Sequence, residues 1–217
     1  MDLMNYFSNN WQELASLTLQ HLALVGTAVG CAILVGVPLG ILINRCAWLA
    51  GPLLGCATIV LTLPSIALFG LMIPLLSRWG VGIGPAPAIV AVFLYSLLPI
   101  MRNTYLALRN VDPSIREAGT GIGMTRWQRL RLVELPLAVP VIIGGVRTAV
   151  VMNIGVMTIA AVIGAGGLGE LVLRAISQSN MTRLVIGAVL VSILAIIADL
   201  LLHALQRALT PKGVAKT

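Results

Sequence analysis

The chain alternates long uncharged apolar runs with short polar connections. Residues 22 to 44 carry no charge, and a helix needs roughly 20 apolar residues to cross a hydrocarbon core about 30 Å thick. This predicts a first span over 22–44. Residues 46 to 77 are also uncharged, punctuated by Pro52, Pro64 and Pro74. They predict one long, kinked or tilted span over about 50–76, since proline is tolerated where neighbouring helices re-satisfy the backbone. A sixth, partial span within 46–77 stays open. The Gly- and Pro-rich segment from Arg78 to Pro87 reads as a loop. A third span follows over 88–108, with Arg102 and Arg109 near its end and able to snorkel to the surface. Asp112 to Arg131 is the longest polar stretch. Asp112-Pro113-Ser114 reads as a helix start, and Gly119, Gly121 and Gly123 weaken or end that helix. A fourth span is expected over 136–162, with Arg147 inside it. The glycine-rich loop Gly164 to Glu170 and an amphipathic stretch to Arg183 come next, and then a fifth span over 184–206. The tail from Thr210 to Thr217 carries Lys212 and Lys216. The expectation is one all-α transmembrane domain over 1–217, with five spans.

Composition strengthens that reading. Hydrophobic residues make up 59% of the 217, charged residues 10%, and the mean hydropathy is +1.01, whereas a soluble domain carries roughly a quarter charged residues. The formal net charge of +7 lies between apolar runs, without the interleaved basic and aromatic residues of a nucleic-acid surface. Five spans put the termini on opposite sides. With the amino terminus outside, the inner side holds ten of the 14 Lys and Arg, from Arg45, the Arg102–Arg131 group, Arg207 and the tail. Arg78, Arg174 and Arg183 remain outside, so the positive-inside rule favours this orientation. The first twenty residues lack a basic n-region and cleavage site, so the first span is expected to be retained. Cys31, Cys46 and Cys56 match no zinc or redox spacing and read as packing thiols.

Candidate chemistry is sparse. A twenty-residue loop with its own helix start reads as a docking element, or more simply as a positive-inside anchor. Arg147, near membrane depth, reads as a pathway or subunit-interface residue; the plainer alternative is a structural pair with a backbone carbonyl or Glu134. Asn153, six residues on, reads with Arg147 as a pathway or subunit-interface residue and is placed to hydrogen-bond within the same bundle. Asp199, His203 and Arg207 share one helical face, as a satisfied pair or a proton relay. His21 reads as an interfacial helix-start residue. Gly164, Gly166 and Gly169 match a dinucleotide fingerprint in spacing only, because they follow an apolar span and not a strand. They read as a flexible outer turn or an outer gate. No phosphate-binding G-x-x-x-x-G-K-[ST] segment is present, and both lysines lie in the tail. No metal-ligand spacing appears either.

The segment Glu117 to Pro136 resembles the EAA loop of ABC importer permeases, whose pattern is E-A-A, three residues, G, nine residues, I, one residue, L-P. Glu117, Ala118 and Gly119 stand at the E-A-A, Gly123 at the G, and Val133, Leu135 and Pro136 at the I-x-L-P. Gly119 in place of Ala and Val133 in place of Ile are the departures. The runs at 88–108, 133–149 and 159–170 are similar to permeases of osmoprotectant importers for glycine betaine, carnitine and choline, and the likeness extends from about Trp11 to Gly213. The resemblance implies a type I ABC importer permease fold in the bacterial cytoplasmic (inner) membrane. It implies a cytoplasmic coupling helix within 112–131 that docks on ATPase subunits through Glu117, Ala118, Gly119 and Gly123. It further implies a second permease subunit, identical or related, and an extracytoplasmic substrate-binding protein. ATP and magnesium would sit on the ATPase, with no cofactor on this chain. Arg126, Arg129 and Arg131 are expected as membrane anchors. Two other readings stand beside it: a permease for an amino acid such as methionine, and an ATP-independent secondary transporter.

Overall fold

The structure, a computed structural model, describes residues 3–210, with side chains from Asn9 onward. The tail beyond Thr210, including Lys212 and Lys216, lies outside the described residues. The described residues are helical, joined by short turns. Helix α1 runs Leu3–Arg45, α2 Ala50–Thr62, α3 Ser65–Ser77, α4 Pro85–Arg109 and α5 Pro113–Gly121. A short α6, Arg126–Arg129, continues through a π-helical turn, Leu130–Glu134, into α7, Leu135–Ile159. Helix α8 covers Leu168–Ser177 and α9 covers Met181–Ala208.

By length and composition, four of these helical stretches can cross a membrane, or five if the bent pair α2–α3 is one span. The direction of each helix decides how that pair must run. Gly36 of α1 lies on Ile100 of α4 and Gly40 on Thr104, so both numbers rise together and α1 and α4 are parallel. Gly145 of α7 lies on Asn103 and Pro99, and Asn153 reaches Ser96, so α7 runs antiparallel to α4. Gly144 of α7 lies near Gln206 of α9 and Arg147 meets Asp199 and His203, so α9 runs antiparallel to α7. Because α1 and α4 are parallel, residues 46–84 must return along the full length of the bundle. The ends of α1 and α9 with the start of α7 therefore lie at one pole. The start of α4, bonded through Gly84 N–H to the Ile163 carbonyl at 3.0 Å, lies at the other.

That return is broken more sharply than a kink. α2 and α3 meet at 105° across Leu63 and Pro64. A proline pushes its predecessor out of the helical region, and Leu63 has φ −66° and ψ 138°. The freed carbonyl of half-buried Leu63 needs a donor among apolar neighbours. Tyr95 of α4 donates its hydroxyl to it at 2.7 Å. Pro52 lies in the first turn of α2 and Pro74 inside α3, and neither ends a helix.

Helix α4 is the centre, with α1, α2, α3 and α7 packed around it. The crossing points are small. Ala28 and Ala32 of α1, Ala88 and Ala91 of α4 and Ala149 of α7 are fully buried, and a Cβ at Gly40 would come within 2.5 Å of Thr104 Cβ. Lipid offers helices no hydrophobic reason to associate, so small residues that permit close backbone packing hold the bundle. The opposite composition appears on α9, where Ile193, Ile196, Ile197, Leu200 and Leu201 are exposed, an apolar surface suited to lipid or to another chain.

Candidate functional site

The polar loop between α4 and α7 is a built object. Asp112 caps α5 by accepting the Ser114 N–H at 2.8 Å, with Pro113 at the first helical position. That hydrogen bond holds the Asp112 carboxyl below its ordinary value. Its end is equally specific. Gly123 has φ +83°, the Met124 N–H bonds to the Gly119 carbonyl at 3.0 Å, and the Gly123 N–H to the Thr120 carbonyl at 3.0 Å. This is the Schellman pattern, which wants glycine at the left-handed position. Thr125 then opens α6 with a capping box: its hydroxyl accepts the Gln128 N–H at 3.3 Å, and Gln128 Oε1 accepts the Thr125 N–H at 2.8 Å.

Glu134 fastens this hairpin to the start of α7. Its carboxylate is 7% exposed; it accepts Arg129 Nε at 2.9 Å and lies 3.8 Å from Arg116 Nε. Arg129 also donates to Thr120 Oγ1 at 2.6 Å, and Arg116 to the Leu108 carbonyl. A buried carboxylate tolerates desolvation only when paired in this way. Arg129 is thus an internal clamp and not a membrane anchor. The loop residues expected to dock a partner divide accordingly. Glu117 and Ala118 are exposed on the outer face of α5, and Glu117 lines a shallow depression with Thr120 and Gly121. Gly119 is buried, facing Arg129 and Met124. Gly123 is exposed with open space around it, so its backbone angle is what calls for glycine.

A second polar cluster lies between α7 and α9. Arg147 donates through Nε and Nη2 to both Asp199 oxygens, the second at 2.6 Å, and its Nη1 lies 3.2 Å from His203 Nδ1. Its partner is therefore Asp199 and not Glu134. The pair sits in a depression with Gly144, Thr148 and Gln206. Neighbouring depressions reach Arg102 and Asn103 of α4 and Ser65 and Tyr95 at the helix break. All three share Met152. Gly144, Thr148, Met152 and Val156 stand at four-residue spacing, so one face of α7 lines a trough of three adjoining depressions. Sequence reasoning missed this face: its residues are ordinary, and only α4 and α9 on either side make it a trough. Asn153 points the other way. It is fully buried, with Nδ2 donating to Ser96 Oγ at 2.8 Å, so it ties α7 to α4 and is not brought together with Arg147.

The glycine turn after α7 is tightly packed rather than loose. Gly164, Gly166 and Gly167 all have positive φ, and the Gly167 N–H bonds to Gln20 Oε1 at 2.9 Å. His21, expected at a helix start, is buried within α1 beneath this turn and hydrogen-bonds through Nε2 to the Ile154 carbonyl at 3.1 Å.

Comparison with known proteins places this geometry. Residues 32–212 match the family described as binding-protein-dependent transport system inner membrane component. The osmoprotectant import permease protein OsmW of Salmonella typhimurium strain LT2 is 65% identical over 99% of this chain and 100% of its own length. The glycine betaine/carnitine/choline transport system permease protein OpuCB of Bacillus subtilis strain 168 is 44% identical over 98% and 95%. Among solved structures, an inward-facing form of the MetNI methionine ABC transporter superposes with a TM-score of 0.83 at 25% identity, over 91% of this chain and 96% of that one.

Proposed function

The chain belongs to the family of binding-protein-dependent transport system inner membrane components, and from that premise we propose that it is the permease subunit of an importer for quaternary amine osmolytes such as glycine betaine, choline or carnitine. The observation that carries the reading is the loop over 112–134. It is capped at both ends of α5 and clamped by a buried carboxylate, yet it presents Glu117 and Ala118 outward. A preformed helix on a rigid seat transmits force where a floppy connector would not.

In this reading α5 is the coupling helix. Glu117 pairs with a basic group on the ATPase, Ala118 lets that partner approach, and Gly119 and Gly123 give the hairpin its shape. ATP and magnesium are held by the ATPase, where nucleotide-driven closure swings two permease subunits between inward-open and outward-open states. The trough along α7, with Met152 at its centre, is the half-pathway that a second permease subunit completes. The Arg147–Asp199 pair sets the seam between the trough and α9. The pole holding Arg45, Arg116, Arg126 and Arg129 is cytoplasmic by the positive-inside rule, which leaves the amino terminus outside. The substrate class rests on the relatives named for osmoprotectants. Binding-protein delivery accounts for a chain with few aromatic residues to cage a cation.

The test is co-purification and uptake. Glu117→Arg is expected to leave membrane insertion intact while the ATPase no longer co-purifies and uptake of glycine betaine falls to background. A Glu117→Arg importer that holds its ATPase and transports normally would sink the docking assignment. The methionine reading has one specific support, the superposition on MetNI. Excess methionine abolishing uptake, with glycine betaine and choline inert as competitors, would favour it.

A further inference from the structure

At the pole where α1 ends, a cavity of about 360 Å³ opens between α1, α5 and α6. Arg45, Arg116, Arg126 and Arg129 line it, with Glu134 as the single carboxylate. That carboxylate is already committed to Arg129 and lies beside Arg116. Arg126 forms no ion pair or hydrogen bond among the described residues, and Arg45 meets only the face of the Trp127 ring, 5.7 Å from its centroid. Four guanidiniums against one neutralised carboxylate leave the cavity strongly cationic, with two of the four free to take a ligand. Arg116 Nε is buried with no hydrogen-bond partner.

The depth of the cavity indicates what the ligand is. Arg45 is the last residue of a helix long and apolar enough to cross a membrane. Trp48, three residues on, and Trp127, whose ring Arg45 faces, are both exposed, as is Leu132 five residues after Trp127. Tryptophans gather at the headgroup level of a bilayer, so the cavity faces phosphates and not hydrocarbon. Guanidiniums bind phosphate oxygens in a fixed fork geometry, and basic pockets between transmembrane helices take anionic headgroups.

We infer that this cavity is a binding site for the phosphate of an anionic phospholipid, held chiefly by Arg45 and Arg126. The lipid would bridge the end of α1 to the α5–α6 hairpin, joining the bundle to the loop. The inference rests on the chain lying in a membrane, and not on the coupling role of α5.

The experiment uses the full chain with whatever subunits co-purify, placed in nanodiscs of phosphatidylcholine with a minority of phosphatidylglycerol. Native mass spectrometry then counts the lipids retained. The native protein is expected to retain phosphatidylglycerol preferentially, Arg45→Gln with Arg126→Gln to lower that retention roughly tenfold, and Arg45→Lys with Arg126→Lys to restore part of it. Equal retention of the two lipids by the native protein, or undiminished retention by the glutamine variant, overturns the site. Displacement of phosphatidylglycerol by inorganic phosphate would make it a free-anion site and overturn the lipid assignment. Loss of the ATPase from the glutamine variant with lipid retained would give the surface to the ATPase instead. Glu117→Arg separates the two readings, since it should release the ATPase and leave lipid retention unchanged.

Discussion

Glu134 holds Arg129 at 2.9 Å and lies 3.8 Å from Arg116, so one side chain decides whether the loop has a seat. Removing one partner of a buried ion pair leaves the others unpaired in a poor solvent for charge. Glu134→Ala is therefore expected to lower hydrogen-exchange protection over residues 113–129 about a hundredfold, equivalent to about 3 kcal/mol. Unchanged protection would mean the capping bonds alone hold the hairpin. Arg147 and Asp199 obey the same logic between helices. Arg147→Ala leaves a carboxylate alone on α9, and Asp199→Ala leaves a guanidinium alone on α7. Each single change is expected to reduce uptake and thermal stability more than the double change, which removes both charges together. A double variant worse than either single one would mean that each charge acts separately. Asp112 contributes differently. Its carboxyl is held below its ordinary value by the Ser114 N–H, so its stabilisation of α5 is full above the unfolded carboxylate range. It is lost only as pH falls through the lowered value.

At the scale of elements, the break between α2 and α3 is the least ordinary feature. Three prolines punctuate this stretch, but only Pro64 interrupts the helix, because only there does the preceding residue turn extended. The Tyr95 hydroxyl makes the 105° bend affordable by bonding the Leu63 carbonyl. Tyr95→Phe keeps the ring packing and leaves that carbonyl unpaired, at a cost of about 1–3 kcal/mol. The expected readout is a lower melting temperature in detergent, with the α1–α4 contact intact by crosslinking. A melting temperature equal to the native value would show that another donor serves the break. Elsewhere the helices follow their sequence closely, but begin and end outside their apolar runs. Helix α1 starts ahead of residue 22, with a kink at Asn10, and α7 is preceded by a helical turn already at Arg126, opened by the Thr125 capping box, because backbone hydrogen bonding continues a helix past the point where hydropathy stops signalling it.

For the molecule as a whole, parallel α1 and α4 require the bent pair α2–α3 to return between them, which sets the two described ends at opposite poles. With the arginine-rich pole cytoplasmic, a cysteine at position 122 on a background lacking Cys31, Cys46 and Cys56 is expected to label only after the membrane is opened. A cysteine at position 83 is expected to label in intact cells with an impermeant thiol reagent. The reverse pattern would invert the orientation. Ile122 is 75% exposed and Ile83 is 77% exposed, so neither substitution disturbs the packing.

The amino-acid sequence alone determined that this is a helical membrane protein, and the EAA-like spacing from Glu117 to Pro136 placed it among importer permeases. Both are local properties: uncharged run length, charge placement and short motifs survive without knowledge of the fold. Only the tertiary structure decided which charges meet. Arg147 pairs with Asp199, fifty-two residues away, and Glu134 turns back to Arg116 and Arg129 within its own loop. Arg45 faces the same cavity as residues seventy and more positions further on. Helical periodicity says which face of a helix is polar, but not which neighbour that face will find. That choice is made by small residues such as Gly40, Ala91 and Ala149, whose close packing fixes helix direction and register and so brings distant polar groups into contact.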